Sequence, residues 1–412
     1  LTDIFCSTAK IPLVAYTGLE YQLSAIQNNR AIFVLWAITG KLDAPGAIYL
    51  NAKGLETPKL FEIPEDDKPI GVDEFPLFYK FSGQGQFSRF PKAVLEDEPY
   101  PVRGLMILGG SPVLSFPDSK SWREAYKKLD CLIVLDRYFT EDARYADVVF
   151  PACSLFEVPK AVPGPEGPHI VEPLIEPVGE SKNDVLIMGA IAKKLGFGDK
   201  LPQTEEELRS WLLSGTAPYA GDFGTSADQK KEKHYKKYET GELRADGKPG
   251  FPTPSGKLEI CSTILEENGF VPYPEYKDVR SIPGLAGKEY PFTMTSGARS
   301  NNRMGVFGAN LDKIAEIEPY PFVDINAEDA KEIGIKDGDM VKVITPFADG
   351  TFKAKIRGIA RHAIHIPHGG GSAYMAEPWK NGNVNDLCSL DYADPMTGFV
   401  LIKSVPCRVE KV

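Results

Sequence analysis

Residues 104–157 read GLMILGGSPVLSFPDSKSWREAYKKLDCLIVLDRYFTEDARYADVVFPACSLFE, and the alternation of apolar runs with breakers in this stretch decides the fold. Leu105 to Leu108 form an apolar run without alternation, which predicts a strand covered on both faces of a parallel sheet. Gly109 and Gly110 stop it. Ser119 or Ser121 can cap the next helix, and Ser121 with Glu124 makes a capping box, while Trp122, Ala125, Tyr126 and Leu129 recur at helical spacing. Cys131 to Leu135 give a second buried strand that ends at Asp136, and Val148 to Phe150 a third, stopped by Pro151. The expected fold class is therefore α/β, with a Rossmann-like parallel sheet and flanking helices.

Open parallel sheets bind ligands beyond the carboxyl ends of their strands, and here those ends carry Gly109-Gly110-Ser111-Pro112 and Asp136-Arg137. Glycine lets the backbone approach a phosphate, and an acid closing the next strand can accept hydrogen bonds from a ribose or a guanine edge. A turn and a capped strand in an ordinary α/β domain fit the same spacing, since G-x-G-x-x-G is absent.

The run Thr140-Glu141-Asp142-Ala143-Arg144-Tyr145-Ala146-Asp147, between G-G-S-P with Leu135-Asp136 and the strand VVFPA, resembles the molybdopterin oxidoreductases of the dimethyl sulfoxide reductase type. The resemblance implies a bis-molybdopterin guanine dinucleotide with molybdenum or tungsten, and cofactor contacts at Gly109, Gly110, Ser111, Pro112, Asp136, Thr140 and Asp147.

From Tyr290 onward, short strand patterns separated by glycine and aspartate turns replace the helix-and-strand pattern. Phe292–Thr295, Phe322–Ile325, Met340–Ile344, Thr351–Ile356, His362–Ile366 and Phe399–Val405 are six strand candidates, a number that suits a closed β-barrel domain. Asn326 to Val341 resembles the same family's barrel signature, a capped helical turn leading into a tight turn at Asp337-Gly338. The loop Thr295 to Arg303 offers a hydroxyl pair and two guanidiniums that suit a pyrophosphate or pterin, although a polar surface loop has the same composition. The resemblance implies cofactor contacts at Ser296, Gly297, Arg299, Ser300 and Arg303, and later ones at His368 and Asn385. His362 and His365 fall on opposite faces of a predicted strand, which separates them as metal ligands.

Composition sets the outer limits. At 412 residues and 42% hydrophobic content the chain exceeds one core, and its 47 basic against 57 acidic residues leave a net charge of −10, which argues against nucleic acid as a partner. No stretch approaches the roughly 18 apolar residues of a membrane helix. The six cysteines form no C-x-x-C, so local spacing builds neither a zinc site nor an iron–sulfur run, and Cys131 reads as an apolar filler of its strand.

The expected organisation is a tail of an inserted α/β domain over 1–54, an irregular connection over 55–100, a dinucleotide-binding α/β domain over 101–225, a charged excursion and linker over 226–289, and the barrel domain over 290–412. Within it, Pro12–Thr17 reads as a strand, Tyr21–Thr39 as a helix, and the proline-rich 158–168 as a loop. The aromatics from Phe75 to Phe90 are too many for a solvated linker and are expected to pack across a surface. The chain opens on Leu1 and matches only the rear part of the family pattern, which reads as a processed chain or a fragment. On that reading a missing amino-terminal portion or companion subunit supplies the metal ligand and a 4Fe-4S relay, and an iron–sulfur electron-transfer subunit is a possible further partner. No catalytic residue and no compartment can be assigned. The other reading is a non-catalytic scaffold subunit of a redox complex that keeps the fold.

Overall fold

The strands, in chain order, are β1 (Gly104–Leu108), β2 (Cys131–Asp136), β3 (Val148–Pro151), β4 (Lys160–Val162), β5 (His169–Val171), β6 (Phe292–Ser296), β7 (Phe322–Asn326), β8 (Met340–Ile344), β9 (Asp349–Arg357), β10 (Ala363–Ile366) and β11 (Lys403–Lys411). This computed structural model describes residues 1–50, 68–162, 164, 167–214, 234–285, 287–297, 311–375 and 377–412. The chain divides into two compact units. One comprises Leu1–Leu19, Ile26–Asp67 and Cys153–Tyr276, and the other Glu20–Ala25, Lys68–Ala152 and Lys277–Val412.

The second unit holds both the parallel sheet and the barrel. The sheet order is β1-β2-β3, all parallel, so β2 is central and its Leu132, Val134 and Leu135 are buried. β1 is an edge strand, which leaves Leu108 exposed and qualifies the expectation of cover on both faces. Cys131, at the open amino end of β2, is exposed and does not fill the core. The crossover helix Ser119–Lys128 starts where expected, but its cap is Asp118, whose carboxylate accepts from the Ser121 N–H at 3.2 Å. Asp118 adopts φ +59°, and its carboxylate also accepts from the Ser121 hydroxyl, so neither serine caps this helix.

Trp122, on the buried side of that helix, collects the rings of Phe87, Phe90 and Phe116 at centroid distances of 5.4, 5.6 and 5.1 Å. The stretch 68–100 is thus more regular than its sequence suggests: it forms the helices Pro76–Ser82 and Phe90–Glu96, and two of its aromatics cover the sheet's helix.

The barrel closes in the order β10-β6-β11-β8-β9-β7. Its interior is built from alternate residues, such as Phe292 and Met294 of β6, Val341 and Val343 of β8, and Phe352 and Ala354 of β9, packed on Val405, Cys407 and Val409 of β11. The last strand begins at Lys403, four residues later than expected from Phe399. Residues up to Leu401 are held by other bonds: the Asp394 N–H donates to the Phe399 carbonyl and the Leu401 N–H to the Tyr392 carbonyl. Tyr21 joins this unit, its carbonyl accepting from the Lys403 N–H at 3.2 Å and its ring 5.5 Å from that of Phe399. The following helix spans Ala25–Ile38, starting four residues later than expected from Tyr21.

In the first unit, no strand forms over residues 12–17. The proline-rich segment 158–168 is not all loop as expected, because Lys160–Val162 within it forms β4 and pairs antiparallel with β5 just beyond it. Asn183 caps Asp184–Lys194 and Thr204 caps Glu205–Leu213, as their side-chain oxygens accept from the Val185 and Glu207 amides. The charged segment is not wholly solvated. Lys237 is buried, with its ammonium 2.5 Å from Asp43 and 3.8 Å from the Tyr49 ring centre. Removing one member of a buried ion pair strands the other, at a cost of about 3–5 kcal/mol. Asp43→Ala should therefore lower stability by roughly that amount, and Asp43→Leu with Lys237→Met should recover most of it. Urea unfolding of the two variants beside the parent checks this; equal losses in the single and double variants would contradict it.

Candidate functional site

The site is built on the carboxyl edge of the sheet. Gly109 leaves β1 with φ +59° and donates its N–H to the Leu135 carbonyl at 2.9 Å, so the turn folds back over the end of β2. A Cβ added at Gly109 would meet nothing within 4 Å, so the space beside the turn is open to a ligand. Ser111 then caps the short helix Pro112–Ser115 by position, with Pro112 at its first residue. On the neighbouring strand end, Asp136 accepts from the Tyr138 N–H at 2.9 Å, and burial raises its carboxyl above the usual aspartate range.

One buried acid holds the turn. Asp142 is solvent-free and accepts from the Ser111 hydroxyl, from the Val113 N–H at 3.1 Å and from the Tyr126 hydroxyl at 2.8 Å. Burial raises its pKa against the pull of those donors. Sequence reading passed over Asp142, although it lies inside the run that carried the family resemblance; its neighbours Thr140 and Asp147 were chosen instead. Thr140 stands just before the single turn Asp142–Arg144, and its hydroxyl accepts from the Ala143 N–H at 3.2 Å. Asp147 accepts from the Leu132 N–H at 2.7 Å, which places it at the amino end of β2, away from the edge where Gly110, Ser111 and Asp136 gather.

The barrel contributes two loops to the same region. Gly369, Gly370 and Gly371 have φ of 142°, 90° and 98°, and a Cβ on Gly370 would lie 2.8 Å from the Gly382 carbonyl, so only glycine fits there. This turn brings His368 to 3.5 Å from the Asn385 amide. Asn385 is buried and its amide donates to the Leu114 carbonyl at 2.7 Å, which docks the loop on the helix that begins at Pro112. Ser119 extends this contact by donating to Asp386 and accepting from the Asn383 amide at 3.2 Å. Glu141 completes it, accepting from the Ala373 N–H at 3.1 Å while pairing with Arg144 at 2.8 Å. His368 and Asn385 thus come together beside the helix that begins at Pro112, with Asn385 already bonded to Leu114 through its amide.

The remaining barrel residues lie at the end of β6. Ser296 is buried and its hydroxyl donates to the Ile402 carbonyl at 2.9 Å, a structural use. Gly297 has φ +99° and packs against Lys403. Arg299, Ser300 and Arg303 lie outside the described residues.

Comparison with known proteins matches residues 24–194 to the molybdopterin oxidoreductase family and residues 293–406 to the molydopterin dinucleotide binding domain. The chain belongs to the molybdopterin oxidoreductases. Among curated relatives, the F420-dependent formate dehydrogenase subunit alpha of Methanocaldococcus jannaschii is 31% identical over 277 residues, covering 65% of this chain and 38% of that one. The dopamine dehydroxylase of Eggerthella lenta is 25% identical over 500 aligned positions, covering 96% of this chain and 48% of that protein. The solved acetylene hydratase from Pelobacter acetylenicus shares the fold, with a TM-score of 0.80, 20% identity and coverage of 99% of this chain and 62% of that one. The chain spans about half or less of the length of these two curated relatives.

Asp142→Ala would leave the Ser111, Val113 and Tyr126 donors without their acceptor, at about 1–3 kcal/mol for each group that stays buried. The expected result is a loss of at least about 3 kcal/mol in urea unfolding and faster amide exchange at residues 111–115. Stability within about 1 kcal/mol of the parent would contradict the assigned role.

Proposed function

We propose that these residues hold the guanine dinucleotide arms of a molybdopterin cofactor carrying molybdenum or tungsten, within an oxidoreductase. The metal's protein ligand and a 4Fe-4S relay then come from polypeptide outside the 412 residues, with an iron–sulfur electron-transfer protein as the redox partner. The observation that carries the reading is the meeting of the open turn at Gly109, the pinned Gly110-Ser111 segment and Asp136 at one strand edge, in a molybdopterin oxidoreductase.

The residues fit the group. A glycine turn open on one side admits a phosphate to the backbone, and an ionised carboxylate at the next strand end accepts the paired N–H donors of a guanine edge. Bound there, the cofactor supplies electron transfer at its metal. This chain's part is to bind and orient it. The names of the relatives span formate, dopamine and acetylene, so the likeness supports a cofactor and assigns no substrate.

Guanosine diphosphate titrated into the chain should bind at least about tenfold more tightly than adenosine diphosphate, and Asp136→Ala should abolish that preference. The pH dependence has a fixed sign. Guanine donates to the ionised carboxylate only, so affinity is full above the Asp136 pKa and falls as pH drops through it, and burial moves that fall above the ordinary value of 3.8. Equal binding of the two nucleotides, unchanged by Asp136→Ala, would overturn the reading and favour a scaffold.

A further inference from the structure

We propose that Asn381 is a site of covalent modification, deamidation to isoaspartate, and that this change loosens the barrel loop docked on Leu114. The chain has two Asn-Gly pairs, Asn268-Gly269 and Asn381-Gly382. Asparagine followed by glycine is the labile case, because a nitrogen with no Cβ beside it can swing against the preceding side-chain carbonyl.

The two pairs are held differently. Asn268 closes the helix Thr263–Glu267, its side-chain amide donating to the Ile264 carbonyl at 2.7 Å, and the Gly269 N–H donates to the Glu266 carbonyl at 3.0 Å. Both reacting groups there are tied. Asn381 is exposed, and among the described residues its side chain has no hydrogen-bond partner. The Gly382 N–H reaches only the Trp379 carbonyl, at 3.5 Å, and that carbonyl already takes the Gly371 N–H at 2.8 Å. The nucleophile at 382 is therefore close to free. Packing dictates the glycine, since a Cβ on Gly382 would lie 2.6 Å from the Pro321 ring, whereas no contact among the described residues dictates the asparagine before it.

The step balances with water as the co-reactant. The Gly382 nitrogen gives its proton to solvent and bonds to the Asn381 side-chain carbonyl carbon, the bond from that carbon to the amide nitrogen breaks, and ammonia leaves. Water then opens the succinimide ring. Opening at the main-chain carbonyl routes the backbone through the side chain, so isoaspartate adds a methylene to the chain and a negative charge. No electrons change hands. The lengthened link stands directly before Gly382, which packs against Pro321 and lies close to Gly370. Just beyond it the Asn383 amide donates to Ser119 and the Asn385 amide to the Leu114 carbonyl, so a displaced Gly382 works against both bonds.

The test incubates the 412-residue chain in mildly alkaline buffer and follows its peptides by mass spectrometry, with isoaspartate distinguished from aspartate. Asn381 should convert at least about tenfold faster than Asn268, whose pair must first break two hydrogen bonds. Amide exchange at 383–387 should then quicken in the converted protein. Asn381→Gln, incubated alike, should keep the exchange of fresh parent, because the longer side chain cyclises slowly. Conversion of Asn268 ahead of Asn381 would overturn the proposal, and so would unchanged exchange at 383–387 once Asn381 is converted. Neither readout uses a nucleotide, so the outcome is independent of the dinucleotide reading.

Discussion

The arrangement of the second unit depends on one buried carboxylate with three donors. Asp142 fixes the Ser111 hydroxyl, the Val113 amide and the Tyr126 hydroxyl at once, so it ties the turn after β1 to the crossover helix and to its own loop. Hydrogen bonds to a buried acid repay its desolvation only when they are all made. This gives the Gly109–Ser115 segment a single conformation before any ligand arrives. Preorganisation of that kind lowers the ordering cost of binding.

The barrel is joined to this segment through polar contacts at the same place. Asn385 bonds to the Leu114 carbonyl, Asp386 and Asn383 meet Ser119, and Glu141 receives the Ala373 amide. All of these partners belong to the turn, the first turn of the crossover helix, or the loop that carries Asp142. The α/β sheet and the barrel are therefore registered to each other at the site, and the glycine run 369–371 is what lets the barrel loop come close enough.

Much of this was legible because it follows from local pattern. Apolar runs without alternation marked β2, and alternating short runs with turn residues marked six strands that do close into a barrel. The capped turn expected at Asn326 forms, its side chain accepting from the Glu328 amide. What was not legible depends on partners distant in sequence. Asp147 has the type and position of a site residue, yet its bond to Leu132 holds it at the amino end of the sheet. Ser296 presents a hydroxyl that the Ile402 carbonyl consumes, and Lys237 looks like part of a solvated run until Asp43, 194 positions away, is brought against it. Asp142 was missed for a related reason: an acid in the polar run Glu141-Asp142-Ala143-Arg144 gives no local sign that three donors converge on it.

The carboxyl edge of β1 and β2 is proposed as a guanine dinucleotide site. Hydrogen exchange measured with and without guanosine diphosphate tests it most directly, because it locates the ligand without a substitution. Guanosine diphosphate bound there should slow exchange at the turn 109–115 and the strand end 136–138, with the docked barrel loop at 383–387 following. Protection elsewhere with these segments unchanged, at a nucleotide concentration that saturates binding, would contradict it.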